Sequence, residues 1–323
     1  MVAPTNAFYP EPQMPEGWRV SADVRKKVLA KLDTDEERLT RDAETLRAWV
    51  NMQPHLPHLP ECELYMLKSY LVHSKNSMEK AKKGLDNYFT ARSAHWDFFG
   101  SYRMDEQRML RYAKYKQIAM SRELTSNLHR VLIVNMSPEY QTPDIFELVC
   151  SINLLKADTV MRLDTCLGFE VVFDLGTYCS NHAKAMAMSL TTMKNFMTCT
   201  LGALPVRVKH LHFVNPPSVF STTFSLVQPM FKEKLRKRVL MHNSLKSLYA
   251  YVSPRHLPRD MGGDLPTCQE MEADLRPFFL AMSDMHAFQR TLKTDETKRP
   301  GGPSEMHSND FGCDGSFRKL SLD

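Results

Sequence analysis

Between residues 130 and 252 four short β-rich runs, RVLIVNM (130–136), GFEVVFDLG (168–176), VRVKHLHFVN (206–215) and LYAYV (248–252), are separated by stretches with helical spacing. Parallel strands cannot be joined by a tight turn and need a crossover, usually a helix. The alternation therefore predicts a mainly parallel sheet covered by helices on at least one face. TPDIFELVCSINLLKADTVM reads as a crossover helix, with Thr142 as its cap and Pro143 in its first turn. NHAKAMAMSLTTMKNFMTCTLGA reads as the next, followed by a helix from Pro217 and a basic helix over FKEKLRKRVL (231–240).

Upstream the pattern is different. Val24, Val28 and Leu32, then Leu39, Leu46, Trp49 and Val50, recur near 3.6 spacing from Val20 to Met52, and QPHLPHLP stops the run. Leu64, Leu67 and Leu71 form a second stripe; Ser77 caps a third helix with Met78, Ala81, Leu85 and Phe89 inward; DEQRMLRYAKYKQIAM reads as one more helix. The expected fold class is α/β: an all-helical N-terminal lobe (20–125), then a sheet lobe (126–292), between a flexible start (1–19) and a polar, disordered tail (293–323).

No run of about 18 apolar residues exists, and the N-terminus has neither the charged nor the apolar region of a signal peptide. A cytoplasmic protein, at most reversibly membrane-associated, is expected. The seven cysteines are scattered without a C-x-x-C pair, which predicts reduced thiols rather than a disulfide framework or zinc site. A net charge of +5 is mild, and no basic stripe interleaved with aromatics supports nucleic-acid binding. Methionine is abundant at 21 residues, four of them (Met186, Met188, Met193, Met197) in one predicted helix, where they fill core gaps or wall a variable apolar ligand.

Signs of catalysis are weak. There is no G-x-S-x-G turn, no phosphate-binding P-loop and no dinucleotide fingerprint. His210 and His212 share one side of a strand, with His182 as a conceivable third metal ligand, but no carboxylate accompanies them in sequence. They are read as hydrogen-bonded structure, and no catalytic residue or metal ligand is assigned.

The segment PPSVFSTTFSLVQPMF carries no charge, and Val219, Phe220, Thr223, Phe224, Val227 and Phe231 give it a broad apolar stripe opposite Ser218, Ser221, Thr222, Ser225 and Gln228. Such a segment can cover a cavity or lie in a lipid interface at modest electrostatic cost. Directly after it, Lys234, Lys237 and Arg238 share one helical face, and Arg207 and Lys209 alternate on the preceding strand. Two converging pairs of cations would suit one polyanion; the bland alternative is a solvated face.

The order of these segments resembles the CRAL-TRIO family over about residues 20 to 285. The resemblance rests on TLRAWVNMQPHLPH and MLKSYLVHSKNSMEKAKKGLDNYFTAR in the helical lobe, GFEVVFDLG with Asp174, the stretch from Val206 to His242, and LPRDMGGDL. It implies a monomeric two-lobed protein that is not an enzyme. One hydrophobic lipid (tocopherol, retinoid, carotenoid or similar) would sit under a mobile gate at residues 217–231 and be transferred to or from membranes. By motif position the pocket falls on Val149, Cys150, Phe169, Phe173, Phe196, Leu204 and Val206, closed by Phe220, Phe224 and Val227; Ser151 and Asn153 are conceivable polar anchors. The family's phosphoinositide cleft falls on Arg207, Lys209, Lys234 and Arg238, whereas its arginine-rich stretch is here SYLVHS (69–74), which removes a basic contact at Ser69, Val72 or Ser74. Lys68 and Lys75 are nearby but out of register. The alternative implied role is a phosphoinositide-responsive lipid sensor or scaffold without transfer.

Overall fold

The structure, a computed structural model, describes residues 12–99, 103–139, 142–302 and 304. Its helical part begins with α1 (Ala22–Ala30) and α2 (Glu36–Met52), whose N-cap side chains Ser21 and Asp35 accept from the backbone N–H groups of Val24 and Arg38. There follow α3 (Leu64–His73), α4 (Met78–Ala94), the single turn α5 (Trp96–Phe99) and α6 (Glu106–Tyr115). The stretch expected to be flexible is anchored from Met14 onward: Trp18 is buried, and its indole N–H donates to the Met120 carbonyl at 2.8 Å.

The sheet has five strands in sequential order: β1 (Lys116–Met120), β2 (Arg130–Met136), β3 (Phe169–Asp174), β4 (Val208–Val214) and β5 (Val239–His242). β2 to β5 are parallel and β1 is antiparallel to β2. Strand β1 corrects the expectation that everything before residue 125 is helical. Its residues KQIAM have no strong β preference, but pairing with the free edge of β2 outweighs propensity and joins them to the sheet.

The crossover α7 (Pro143–Leu163) is buried nearly all round. The next expected helix breaks at Ser189 into α8 (Ser180–Met188) and α9 (Leu190–Met197), and a π-helical turn follows over Thr198–Ala203. After β4 come α10 (Ser218–Val227) and α11 (Glu233–Arg236). The expected basic helix is thus one turn, because Val239–His242 pairs with Leu211–Val214 as the edge strand β5. LYAYV is not a strand: Leu248 ends α12 (Leu245–Leu248), and Leu248 and Val252, four apart on consecutive turns, are both buried. α13 (Cys268–Ala281) and α14 (Ser283–Gln289) complete the fold. The beginning of the expected disordered tail packs on α4: Arg299 bonds Asp86 at 2.9 Å and Thr90 at 2.7 Å. The rest of that tail lies outside the described residues.

Alternation along the strands sorts side chains into two cores. One face (Ala119, Val131, Ile133, Val172, Val214) packs with Leu248, Val252, Leu257, Met261, Cys268 and Met271. The other contributes Ile118, Leu132, Val134, Val171, Phe173, Leu211 and Phe213 to an internal cavity. A buried ionic network joins the helical part to α7: Arg162 bonds Glu63 at 3.1 Å, and Arg92 bonds Asp158 at 3.2 Å.

Candidate functional site

The cavity lies between the sheet, α7, α8, α9 and α10, with a volume of about 310 Å³, within the range of small-molecule sites. Val149, Cys150, Phe169, Phe173, Phe196, Val206, Phe220, Phe224 and Val227 all line it. Leu204 does not; it is buried in the packing beneath. Of the two conceivable polar anchors, Asn153 lines the cavity, but its side-chain oxygen already accepts from the Tyr112 hydroxyl at 2.6 Å. Ser151 is buried outside it.

The roof is α10. Its inner face (Phe220, Thr223, Phe224, Val227) continues into Phe231, while Ser221, Thr222, Ser225 and Leu226 face solvent. Aromatic rings hold it down: Phe213 stands 5.1 Å from Phe220 and 5.5 Å from Phe224, and Phe224 stands 6.2 Å from Phe231. No charged side chain occurs from Pro216 to Phe231, so the roof helix makes no ion pair of its own.

Two lysines in the lining escaped sequence reasoning. Lys156 pairs with Glu272 at 3.4 Å and stands 4.3 Å from the centre of the Tyr112 ring; burial pulls its pKa down to about 8 against the pull of Glu272. The Lys116 side chain, at the start of β1, makes no hydrogen bond or ion pair among the described residues, and burial lowers its pKa. No local pattern marks a lysine as cavity-facing; only the β1–β2 register places it there.

Three of the four expected basic residues, Arg207, Lys209 and Arg238, gather beside the start of β4. Arg207 precedes the strand, and a bulge opposite Phe169/Glu170 makes Lys209 the extra residue. Arg238 reaches back to donate to the Val208 carbonyl. Desolvation lowers the pKa of both Arg207 and Lys209, with Arg238 adding to each; Lys75 also acts on Lys209. None of Arg207, Lys209, Lys234 and Arg238 makes a salt bridge among the described residues, and the Arg207 Nη1 atom is buried without a hydrogen-bond partner. Lys234 is exposed on α11, and Lys237 is diverted to Glu233 at 2.7 Å. Lys75, out of register with the family's arginines in the sequence, acts on Lys209 in the fold. Its backbone, with Asn76, is left-handed (φ 59° and 53°), and this turn leaves it exposed after α3. In the SYLVHS stretch, Val72 and His73 are buried, and Ser69 donates to the Met161 carbonyl.

The expected third histidine is elsewhere. His182 lines the cavity and bonds the Ser137 carbonyl at 2.9 Å, whereas His210 and His212 face the opposite side of the sheet.

A model of the CRAL/TRIO domain matches residues 116–263, which begin at β1 and contain the whole sheet, the roof and the basic residues of β4 and α11. The chain carries a CRAL/TRIO domain. Ahead of it, a model described as a Pinta-like UBA domain matches residues 35–109. The chain is similar to Clavesin-1 of Rattus norvegicus, 23% identical over 299 residues, covering 90% of this chain and 76% of the relative. It is also similar to Clavesin-2 of Homo sapiens, 23% identical over 253 residues and 76% of each. The solved structure of Sfh5 aligns at a TM-score of 0.42 with 11% identity, over 84% of this chain and 99% of that one. CRAL/TRIO proteins are lipid-binding transfer proteins rather than enzymes, and they take hydrophobic ligands. No helix among the described residues is long and apolar enough to cross a membrane.

Proposed function

We propose that this chain holds one small hydrophobic lipid, of tocopherol, retinoid or carotenoid type, in the cavity beneath α10 and moves it to or from membranes. The observation that carries the reading is the apolar cavity, roofed by a helix without a single charge. A guest burying about twenty methylenes would be stabilised by roughly 16 kcal/mol relative to water, at about 0.8 kcal/mol for each. Release into solvent would then be too slow, and exchange belongs at a bilayer. There α10 swings into the lipid interface while a phosphoinositide headgroup is captured by Arg207, Lys209, Lys234 and Arg238, with Lys75 adding to the field.

Support for the anionic partner comes from the buried, unpartnered Arg207 nitrogen and from Arg207 and Lys209, whose pKa values burial and the neighbouring Arg238 lower. An anion bound among them relieves both. The protein would act as a cytoplasmic monomer that visits membranes reversibly.

The test is a pair of measurements on the full chain. Native mass spectrometry should reveal a single co-purified lipid, and vesicle-to-vesicle transfer of a fluorescent lipid should quicken when acceptors contain phosphatidylinositol bisphosphate. Replacing Lys234 and Arg238 with alanine should abolish the acceleration while cargo stays bound. A lipid-free protein, or transfer indifferent to acceptor composition, contradicts the reading.

A further inference from the structure

On the sheet face turned away from the cavity, a single carboxylate collects three imidazoles. Glu170 of β3 lies opposite His210 of β4 in the strand register, and His212 stands two residues further along. Nδ1 of His129 is 2.8 Å from Glu170 Oε1, and Nδ1 of His210 is 2.9 Å from Oε2. Those are lengths of charge-assisted hydrogen bonds. The third contact is longer, with His212 Nε2 at 3.4 Å from the same Oε2.

Proton bookkeeping explains the difference. The Ser247 hydroxyl donates to the Ser244 carbonyl at 2.8 Å, so at 3.2 Å it receives the N–H of His242 Nδ1. His242 Nε2 then presents a lone pair and accepts from His212 Nδ1–H at 2.9 Å. The other nitrogen of His212, fully buried and aimed at a carboxylate oxygen, then carries no proton unless the ring is cationic. Two acceptors face each other, an arrangement that calls for a cation between them. His210 supplies a further nitrogen, and one donor atom from each of Glu170, His210 and His212 lies within 4.8 Å of the others.

We infer that Glu170, His210 and His212 form a binding site for one divalent transition-metal ion of the zinc type. Two imidazoles and one carboxylate suit zinc or its neighbours rather than magnesium or calcium, which prefer all-oxygen shells. Ligands about 2.0–2.1 Å from a tetrahedral ion stand about 3.3 Å apart, so the two contacts to Oε2 need only small adjustments. On binding, the proton on His210 Nδ1 leaves through solvent and the ring's one remaining proton sits on the solvent-facing Nε2, so that the neutral imidazole turns its Nδ1 lone pair to the ion. His210 is 40% exposed, which leaves the fourth position open to water, and Tyr251 stands 5.6 Å from the His212 ring on that side. His129 continues to donate to Oε1, and the His242–Ser247 relay orients His212, as outer-shell partners of metal ligands do.

The full chain, stripped with a chelator and titrated with cobalt(II) chloride, tests the site. One Co²⁺ per chain should bind with the visible absorption of a four-coordinate ion, and zinc chloride should displace it and raise Tm by several degrees. His210→Ala, altering a partly exposed side chain, should keep its circular dichroism spectrum and lose both responses; His58→Ala, on an exposed loop, should keep both. Cobalt binding that is absent, or unchanged in His210→Ala, overturns the assignment, as does a cationic His212 in nitrogen NMR of a sample that takes up no cobalt. No lipid enters these readouts, so their failure leaves the cavity reading untouched.

Discussion

The Tyr178 hydroxyl donates to Thr223 Oγ1 at 2.8 Å and ties the roof helix α10 to the segment between β3 and α8. The same tyrosine ring stands edge-on to Phe220 at 5.5 Å. Otherwise α10 rests on apolar contacts, which a bilayer can replace; the hydrogen bond it cannot replace as well. Thr223→Val should leave the buried Tyr178 hydroxyl unpaired and cost about 1–3 kcal/mol, whereas Tyr178→Phe combined with Thr223→Val should be closer to neutral. Both should speed lipid exchange between vesicles relative to wild type. Urea unfolding together with a fluorescent-lipid transfer assay checks the pair, and equal destabilisation by the single and the double variant would contradict the latch.

The parallel core of the sheet was legible because β2, β3 and β4 are strongly apolar runs, each followed by a crossover long enough to return the chain. β1 and β5 were not, since KQIAM reads as helix and VLMH hides behind a basic run; only edge pairing makes them strands. LYAYV misled for the converse reason, as its β-favouring residues bury Leu248 and Val252 by helical spacing. The cavity wall was largely readable through motif position. The lysines in it, on β1 and α7, and the carboxylate of β3 beside His210 and His212 are brought in from other elements and leave no local trace.

Arg130 is completely buried at the start of β2, and its guanidinium forms a two-pronged pair with Asp164 at 2.7 and 2.9 Å while also reaching the carbonyls of Trp18, Ser121 and Arg122. It thereby pins the N-terminal segment and the loop after α7 to the sheet. Removing one partner strands a buried charge, so Asp164→Ala should destabilise the fold by about 3–5 kcal/mol. Chemical denaturation should reveal the loss. A drop below about 1 kcal/mol would mean that the carbonyls alone satisfy the guanidinium.

His73 at the end of α3 is buried, and neither ring nitrogen has a hydrogen bond of normal geometry. Burial lowers its pKa from 6.5 to about 4; Asp164 pulls the other way, and Arg207 reinforces the drop. In the unfolded chain the imidazole takes up a proton near pH 6.5, in the folded one only near 4, so the unfolded state binds more protons between these values. Stability from this residue is therefore complete above pH 6.5 and declines as pH falls toward 4, by on the order of 3 kcal/mol. His73→Leu should flatten this limb of a Tm-against-pH curve, and an unchanged slope would show that other groups govern acid unfolding.

Gly168 lies against Arg207 and Lys209. Its φ of +151° lies where side chains are strained, and an added Cβ would stand 2.6 Å from both the Arg207 carbonyl and the Lys209 side chain. The glycine lets the chain before β3 close onto β4: Arg130 N–H donates to the Gly168 carbonyl at 3.0 Å and Phe169 N–H to that of Arg207 at 2.9 Å. Gly168→Ala should cost about 1–3 kcal/mol and push Lys209 away from Arg207 and Arg238. Lys75→Ala leaves this backbone intact and removes only charge. If these cations read a phosphorylated headgroup together, both variants should bind phosphoinositide vesicles more weakly, Lys75→Ala with unchanged Tm. Lys232→Ala, on the exposed flank of α11, serves as the comparison in a flotation assay. A loss in Lys232→Ala equal to that in Lys75→Ala would mean that vesicles respond to net charge and not to a defined cleft.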